Sequence, residues 1–231
     1  GCAAVICNTV GRAQAIYGVL EKARQKGDLD IAEDDLILFH ARFPPVWRQA
    51  IEKKVLDKFG KPNQEKPDAR PQKAIVVATQ VIEQSLDLDF DLMLTDLSPI
   101  DLMIQRVGRL HRHERDAKQR HGHTRRLVIT EPLQDAAGIP DFGSDEWVYE
   151  PFILLQSYLA LRGQEKIAIP GDTTELIEAV YADSPDITSL APAWREALRI
   201  AQKEMDDNRR EAEIKAGQQL VMAPNNSRLL K

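Results

Sequence analysis

The sequence predicts an α/β protein built on an open, doubly wound parallel sheet. Three observations carry this expectation. Over the first 130 residues, short apolar runs alternate with segments whose apolar residues recur at helical spacing. Several of the runs, Ile75-Val76-Val77-Ala78 among them, are apolar on both of their alternating faces, as suits strands covered by helices on two sides. Glycine, proline and small polar residues stand between the segments where caps and turns are needed.

Each element follows in order. Residues 3–7 form an apolar strand closed by Asn8 and Thr9. Ala13, Ile16, Tyr17, Leu20 and Ala23 then fall on one helical face, and Gly27 stops that helix. Leu36–Phe39 is a second strand. Pro44 and Pro45 open a second helix carrying Val46, Ile51, Val55, Leu56 and Phe59, ended by Gly60. Residues 61–73 hold three prolines and read as a surface loop. Strands are expected at 75–79, 91–95 and 126–130, with a helix over Ile100–Val107 between the last two. Residues 132–148 are rich in proline, glycine and acids and read as a linker. Helices follow at 151–162 and up to Tyr181, the latter with Asp172 and Glu175 in a capping-box arrangement. A charged helix over 192–217 bears a thin stripe of Trp194, Leu198, Ala201 and Met205 and reads as a solvated bridge to a further domain. The expected division is a sheet domain over 1–131 and a linker with a helical accessory region over 132–231. No internal repeat or low-complexity tract occurs.

Composition narrows the function. The chain has 231 residues, 43 % of them hydrophobic and 29 % charged, enough for a buried core and too apolar for wholesale disorder. Its apolar runs stop at four or five residues, far below the ~20 of a membrane helix, so no membrane association is expected. Two cysteines, Cys2 and Cys7, cannot build a disulfide framework, which points to a reducing compartment and a cytoplasmic location. The opening residues lack both a basic signal-peptide segment and an initiator methionine, so the chain reads as a fragment. Net charge is −5, but residues 105–126 hold eight basic and two acidic side chains, a local +6 on an otherwise acidic chain.

That basic block contains Gln105-Arg106-Val107-Gly108-Arg109-Leu110-His111-Arg112. Arg109 and Arg112 are three residues apart, which on a helix would turn both guanidiniums to one side, where two planar forks can clamp a phosphate. About 25 residues upstream lies Val77-Ala78-Thr79-Gln80-Val81-Ile82-Glu83-Gln84-Ser85-Leu86-Asp87-Leu88-Asp89, a buried strand ending in Thr79. In an open α/β sheet, ligands gather at such carboxyl ends of strands.

Together the two blocks resemble motifs V and VI of superfamily-two helicases, with Gln84 and Ser85 where motif V usually has Arg and Gly. More narrowly, the segment ATQVIEQSLDLDFDLMLTDLSPIDLMIQRVGRLHRH is similar to the helicase core of the CRISPR-associated helicase–nuclease of type I interference systems, the enzyme recruited by the Cascade surveillance complex. Asn8-Thr9-Val10 with Arg12-Ala13-Gln14 resembles that family's NTV-x-RAQ segment. Phe39-His40-Ala41-Arg42-Phe43 resembles its HSRF block, with Ala41 in place of Ser. Tyr149-Glu150-Pro151 and Leu176 to Tyr181 fit the region after the helicase core. The resemblance covers residues 3–182 well. It implies a second RecA-like domain, a parallel sheet with flanking helices, followed by a mainly helical region. ATP would bind between it and a first RecA-like domain, which would hold the Mg²⁺. Arg109 and Arg112 would be arginine fingers on the β- and γ-phosphates. Gln105 would lie near the attacking water, and Asp87 would meet the ribose side or order the fingers. Thr79, through its hydroxyl and backbone N–H, would hold a DNA phosphate. Asn8, Thr9 and Arg42 would line the single-stranded DNA track.

The chain has no Gly-x-x-x-x-Gly-Lys-Ser/Thr loop, no Asp-Glu-x-His and no nuclease His-Asp pair. It therefore reads as half of an ATP site, inactive alone. Competing readings are another superfamily-two motor on RNA or duplex DNA, and a non-catalytic module binding nucleic acid or Cascade. His111, His113, His121 and His123 have the spacing of zinc ligands, but their basic neighbours disfavour a dication, and no metal is expected. Trp47, Trp147 and Trp194 read as packing residues rather than base-stacking platforms, with Trp47, near Arg42, the one whose stacking role calls for a test, and both cysteines read as buried core thiols.

Overall fold

The computed structural model describes residues 1–61, 70–83, 86–115, 120, 122–182 and 187–218. Gln84, Ser85 and His121, and most of the loop at 61–73, lie outside them.

Five parallel strands form the sheet: β1 (Cys2–Ile6), β2 (Leu36–Phe39), β3 (Ala74–Ala78), β4 (Leu92–Asp96) and β5 (Arg126–Thr130). Their spatial order is β2-β3-β1-β4-β5. β1 is central, pairing Cys2 with Ala74 on one side and Ala3 with Leu92 on the other. This is the predicted α/β class, with strand bounds within one residue of those read from the sequence.

Helix α1 (Val10–Lys26) covers one face. Ala13, Ile16, Tyr17 and Leu20 pack on Val5, Leu38, Ile75 and Val77. Thr9 caps its start by accepting from the Arg12 N–H at 3.3 Å. Gly27 ends it at φ 81°, a left-handed geometry that glycine adopts without penalty. Helix α2 (Pro45–Phe59) covers the other face, burying Val55 and Phe59 among Ala4, Ile6, Phe39 and Val76. Helix α3 (Ile100–Val107) joins that side through Ile100 and Met103.

Residues 132–148 correct the linker expectation. A short antiparallel hairpin, β6 (Leu133–Gln134) with β7 (Pro140–Asp141), leads into a 3₁₀ turn over Gly143–Trp147. Proline and glycine there mark tight turns rather than looseness. Helix α4 (Pro151–Leu161) is almost wholly apolar because it is covered twice: α6 (Pro192–Gln218) meets it through Trp194 and Leu198, and α5 (Thr173–Tyr181) through Leu176 and Val180. The stripe on α6 is thus a docking face over its first half, while residues 207–217 are exposed. Asp172 precedes α5 but makes no cap to it; its carboxylate accepts from the Ala168 N–H at 2.7 Å instead, so the expected capping box does not form.

Both cysteines are buried and free. Trp194 is buried, but Trp47 and Trp147 are 64 % and 89 % exposed, against the expectation that all three pack inside. No described helix is long and apolar enough to cross a membrane.

Candidate functional site

Because the sheet is parallel, the carboxyl ends of its strands lie along one edge, and the polar residues there form a connected network. Asn8, just past β1, donates its backbone N–H to Asp96 Oδ2 at 3.0 Å and its amide to Leu97 O and Asp145 Oδ2 at 2.6 and 2.9 Å. Asp96 also receives Arg12 at 3.1 Å and the Thr130 hydroxyl at 2.9 Å. Gln80 donates to Asn8 O at 2.8 Å and reaches the Tyr149 hydroxyl at 3.0 Å. Burial drives the Asp145 carboxyl above its ordinary range, and neighbouring Asp96 adds to it.

Arg106 anchors this network from α3. It is fully buried. Its guanidinium meets Glu83 at 2.6 Å, Thr95 Oγ1 at 2.6 Å and Asp96 O at 2.9 Å. Burial raises the Glu83 pKa despite the pull of Arg106.

The expected helix under Arg109 and Arg112 is not there. α3 ends at Val107, Gly108 caps it, and the chain swings away. Two backbone bonds draw it out: Phe90 N–H donates to Arg109 O at 2.9 Å, and His111 N–H donates to Phe90 O at 3.0 Å. His111 sits at φ 49° to make the turn. Two buried carboxylates hold the far side. Asp89 accepts from the Arg112 N–H at 2.8 Å, from Arg115 at 2.7 Å and from Arg120 at 2.9 Å. Asp91 accepts from the Cys2 N–H at 2.7 Å, Arg70 at 2.9 Å and Arg120 at 3.0 Å. Burial alone would push both carboxyls up. For Asp89 the hydrogen bonds from Arg115 and Arg120 outweigh it, and for Asp91 the Cys2 N–H and Arg70 do so, so both settle below the usual range. Arg106, Arg115 and Arg120 of the basic block are therefore spent on internal acids.

Within the turn, Arg109 is half-buried, donates to Glu83 O at 3.2 Å, and has a buried Nε with no partner among the described residues. Its own burial lowers its pKa. Arg112 pairs with Asp87 at 2.6 Å, both half-exposed, and His113 Nε2 lies 3.1 Å from the same carboxylate oxygen. These contacts draw Asp87 below its ordinary value, His113 first and Arg112 second. Arg109, Arg112 and Asp87 are thus brought together by the turn, not by a helix face. Gln105 is exposed on α3.

Thr79 directly follows β3 and is 3 % exposed. Its N–H donates to Phe39 O at 3.2 Å, so that group is already engaged and is removed from the phosphate contact expected of it. Thr9 is half-buried and Arg42 exposed on the same edge. Among the described residues, no group of three or more His, Cys, Asp or Glu could hold a metal ion.

The sequence reading missed Arg106, Asp89, Asp91, Glu83 and Asp145. A signal existed for Arg106: it stands three residues after Met103 and six after Ile100, on the buried stripe of α3, where a charge requires partners.

A family model described as the C-terminal part of the CRISPR-associated nuclease/helicase Cas3 matches residues 1–115. The CRISPR-associated endonuclease/helicase Cas3 of Thermus thermophilus is 36 % identical over 96 % of this chain, and the Cas3 nuclease/helicase of Streptococcus thermophilus 34 % identical over 97 %. The chain covers 27 % and 22 % of those two proteins, so it spans about a quarter of their length. Among solved structures, a CRISPR-associated protein superposes with TM-score 0.80 at 41 % identity, covering 94 % of this chain and 23 % of that one. T. fusca Cas3 with ADP gives 0.68 at 33 % identity, covering 90 % and 22 %. A CRISPR RNA-guided surveillance complex in a pre-nicking state gives 0.65 at 36 % identity, covering 89 % and 24 %.

Proposed function

Since this chain belongs to the CRISPR-associated Cas3 nuclease/helicase family, as a piece of its C-terminal helicase region, we propose that it is the second motor half of an ATP-driven single-stranded DNA translocase acting in CRISPR interference. The observation that carries this reading is the turn after α3: Asp89 and the Phe90 backbone fix its course, while Arg109 keeps a buried Nε without a partner among the described residues. An under-satisfied buried donor suits an anionic ligand that completes it.

ATP fits that role, since hydrolysis of its γ-phosphate supplies the driving free energy. Arg109 and Arg112 would hold the β- and γ-phosphates as arginine fingers, Asp87 would keep Arg112 in position, and Gln105 would lie towards the attacking water. Mg²⁺ and the phosphate-cradling loop would come from a first RecA-like domain. The solved structures of T. fusca Cas3 with ADP, AMPPNP and ATP support nucleotide binding by the whole enzyme. Thr9, Arg42 and the Thr79 hydroxyl would face single-stranded DNA along the strand-end edge. The division at 131/132, the partnership with Cascade and with a nuclease domain, the cytoplasmic setting and the inactivity of this piece alone belong to the same reading.

The test is steady-state ATPase in the full-length enzyme. Arg109→Ala and Arg112→Ala should each cut turnover by about 10³-fold or more while leaving single-stranded DNA binding within about twofold. Lysine at either position should restore little, because an ammonium lacks the planar fork. Full turnover in Arg109→Ala would overturn the assignment.

A further inference from the structure

We infer that Trp47, flanked by Arg42 and Arg48, is a base-stacking platform for single-stranded DNA at the outer end of the sheet edge, an inference that rests on the translocase reading and adds a contact to it. Three features converge on the segment between β2 and the first turn of α2.

The first is an aromatic side chain where packing does not ask for one. Trp47 is 64 % exposed and its neighbour Val46 77 % exposed, although both open a helix whose Val55 and Phe59 are fully buried. A large apolar side chain left in water at the start of a helix costs solubility without adding to the core.

The second is charge. No acidic residue occurs between Asp35 and Glu52, while Arg42 and Arg48 do. Both are exposed, and among the described residues neither has an ion-pair partner. In the larger basic block, by contrast, Arg106, Arg115 and Arg120 are taken up by Glu83, Asp89 and Asp91. Trp147 is more exposed still, but residues 141–150 around it carry four acids and no base. That neighbourhood repels a polyanion, which is why Trp47 and not Trp147 is the candidate.

The third is backbone. α2 starts after Pro44 with no side-chain cap and no acid in its first turn, so the positive end of its dipole is uncompensated beside Trp47. The turn leading into it is held firm: the His40 and Phe43 rings stack at 4.2 Å and 6°, and His40 Nε2 lies 3.3 Å from Gln14 Nε2. An exposed indole close in sequence to two exposed arginines, beside a turn held by stacked rings at the carboxyl edge of the sheet, is the combination that binds single strands with little regard to sequence. The arginines take phosphates and the indole takes a base.

The experiment is a fluorescence-anisotropy titration of the full-length enzyme with labelled oligo-dT at several salt concentrations. Trp47→Ala should weaken binding about tenfold at every salt, with the slope of log K against log salt unchanged. Trp47→Phe should retain affinity within about threefold. Arg42→Ala and Arg48→Ala should each reduce that slope by about 0.7. Trp147→Ala should bind as the parent does. If the parent does not bind oligo-dT, the translocase reading falls and this inference with it. If the parent binds and Trp47→Ala binds equally well, the stacking platform alone falls. It also falls if Trp47→Ala keeps oligo-dT affinity but loses capture of Cascade, which would make the indole a protein contact.

Discussion

At the scale of single residues, two aspartates two positions apart divide between stability and chemistry. Asp89 is fully buried and meets Arg70, Arg115 and Arg120. Replacing it by asparagine leaves three guanidiniums facing a neutral group, and breaking a buried ion pair from one side generally costs about 3–5 kcal/mol. Asp87 is half-exposed beside Arg112. Losing such a pair costs below about 1 kcal/mol. Urea denaturation should therefore show a large shift for Asp89→Asn and almost none for Asp87→Asn. ATPase assays on the folded full-length protein should show the opposite emphasis, with Asp87→Asn impaired because Arg112 loses its orienting partner. A large loss of stability in Asp87→Asn would assign that pair to the fold.

At the scale of elements, α6 has two unlike halves. Leu198 is buried against α4, so Leu198→Ala should destabilise the packed helices by about 2–5 kcal/mol. Ile214 is 61 % exposed on the same helix, and Ile214→Ala should stay within about 0.5 kcal/mol. Thermal melts of the two variants check this. The element scale also separates what was legible in the sequence from what was not. Strands and helices over the first 130 residues could be read because each carries its own signal: β-branched runs, the Gly27 stop, the prolines before α2. The turn at Arg109 could not. Its geometry is imposed by Phe90 and Asp89, about twenty residues away along the chain, and helical spacing takes no account of a bridge to a neighbouring strand. The 132–148 segment misled for a related reason. Its composition is that of a loop, and only its contact with Asn8 through Asp145 shows that it is pinned to the sheet edge.

At the scale of the whole molecule, two sets of buried carboxyls make stability depend on pH in opposite senses. Asp89 and Asp91 are held below their ordinary values, so their contribution is present above the usual carboxylate range and is lost as pH falls through their depressed pKa values. Glu83 and Asp145 are raised, so theirs is full in acid and fades as pH rises through their elevated values. Asp145→Asn should accordingly be more stable relative to the parent at about pH 8 than at about pH 4. Denaturant midpoints at the two pH values measure it, and a pH-independent difference would sink the assignment. The sheet order has a further consequence, for the making of the protein. β1 leaves the ribosome well before either strand that flanks it, since Cys2 pairs with Ala74 and Ala3 with Leu92. Until about seventy more residues have been synthesised the middle of the sheet is an unpaired apolar ribbon with two open edges, and until about ninety it still has one. During those seconds of translation it is a natural client for chaperones, and a pause or truncation ahead of β4 should release an aggregation-prone nascent chain rather than a smaller folded one.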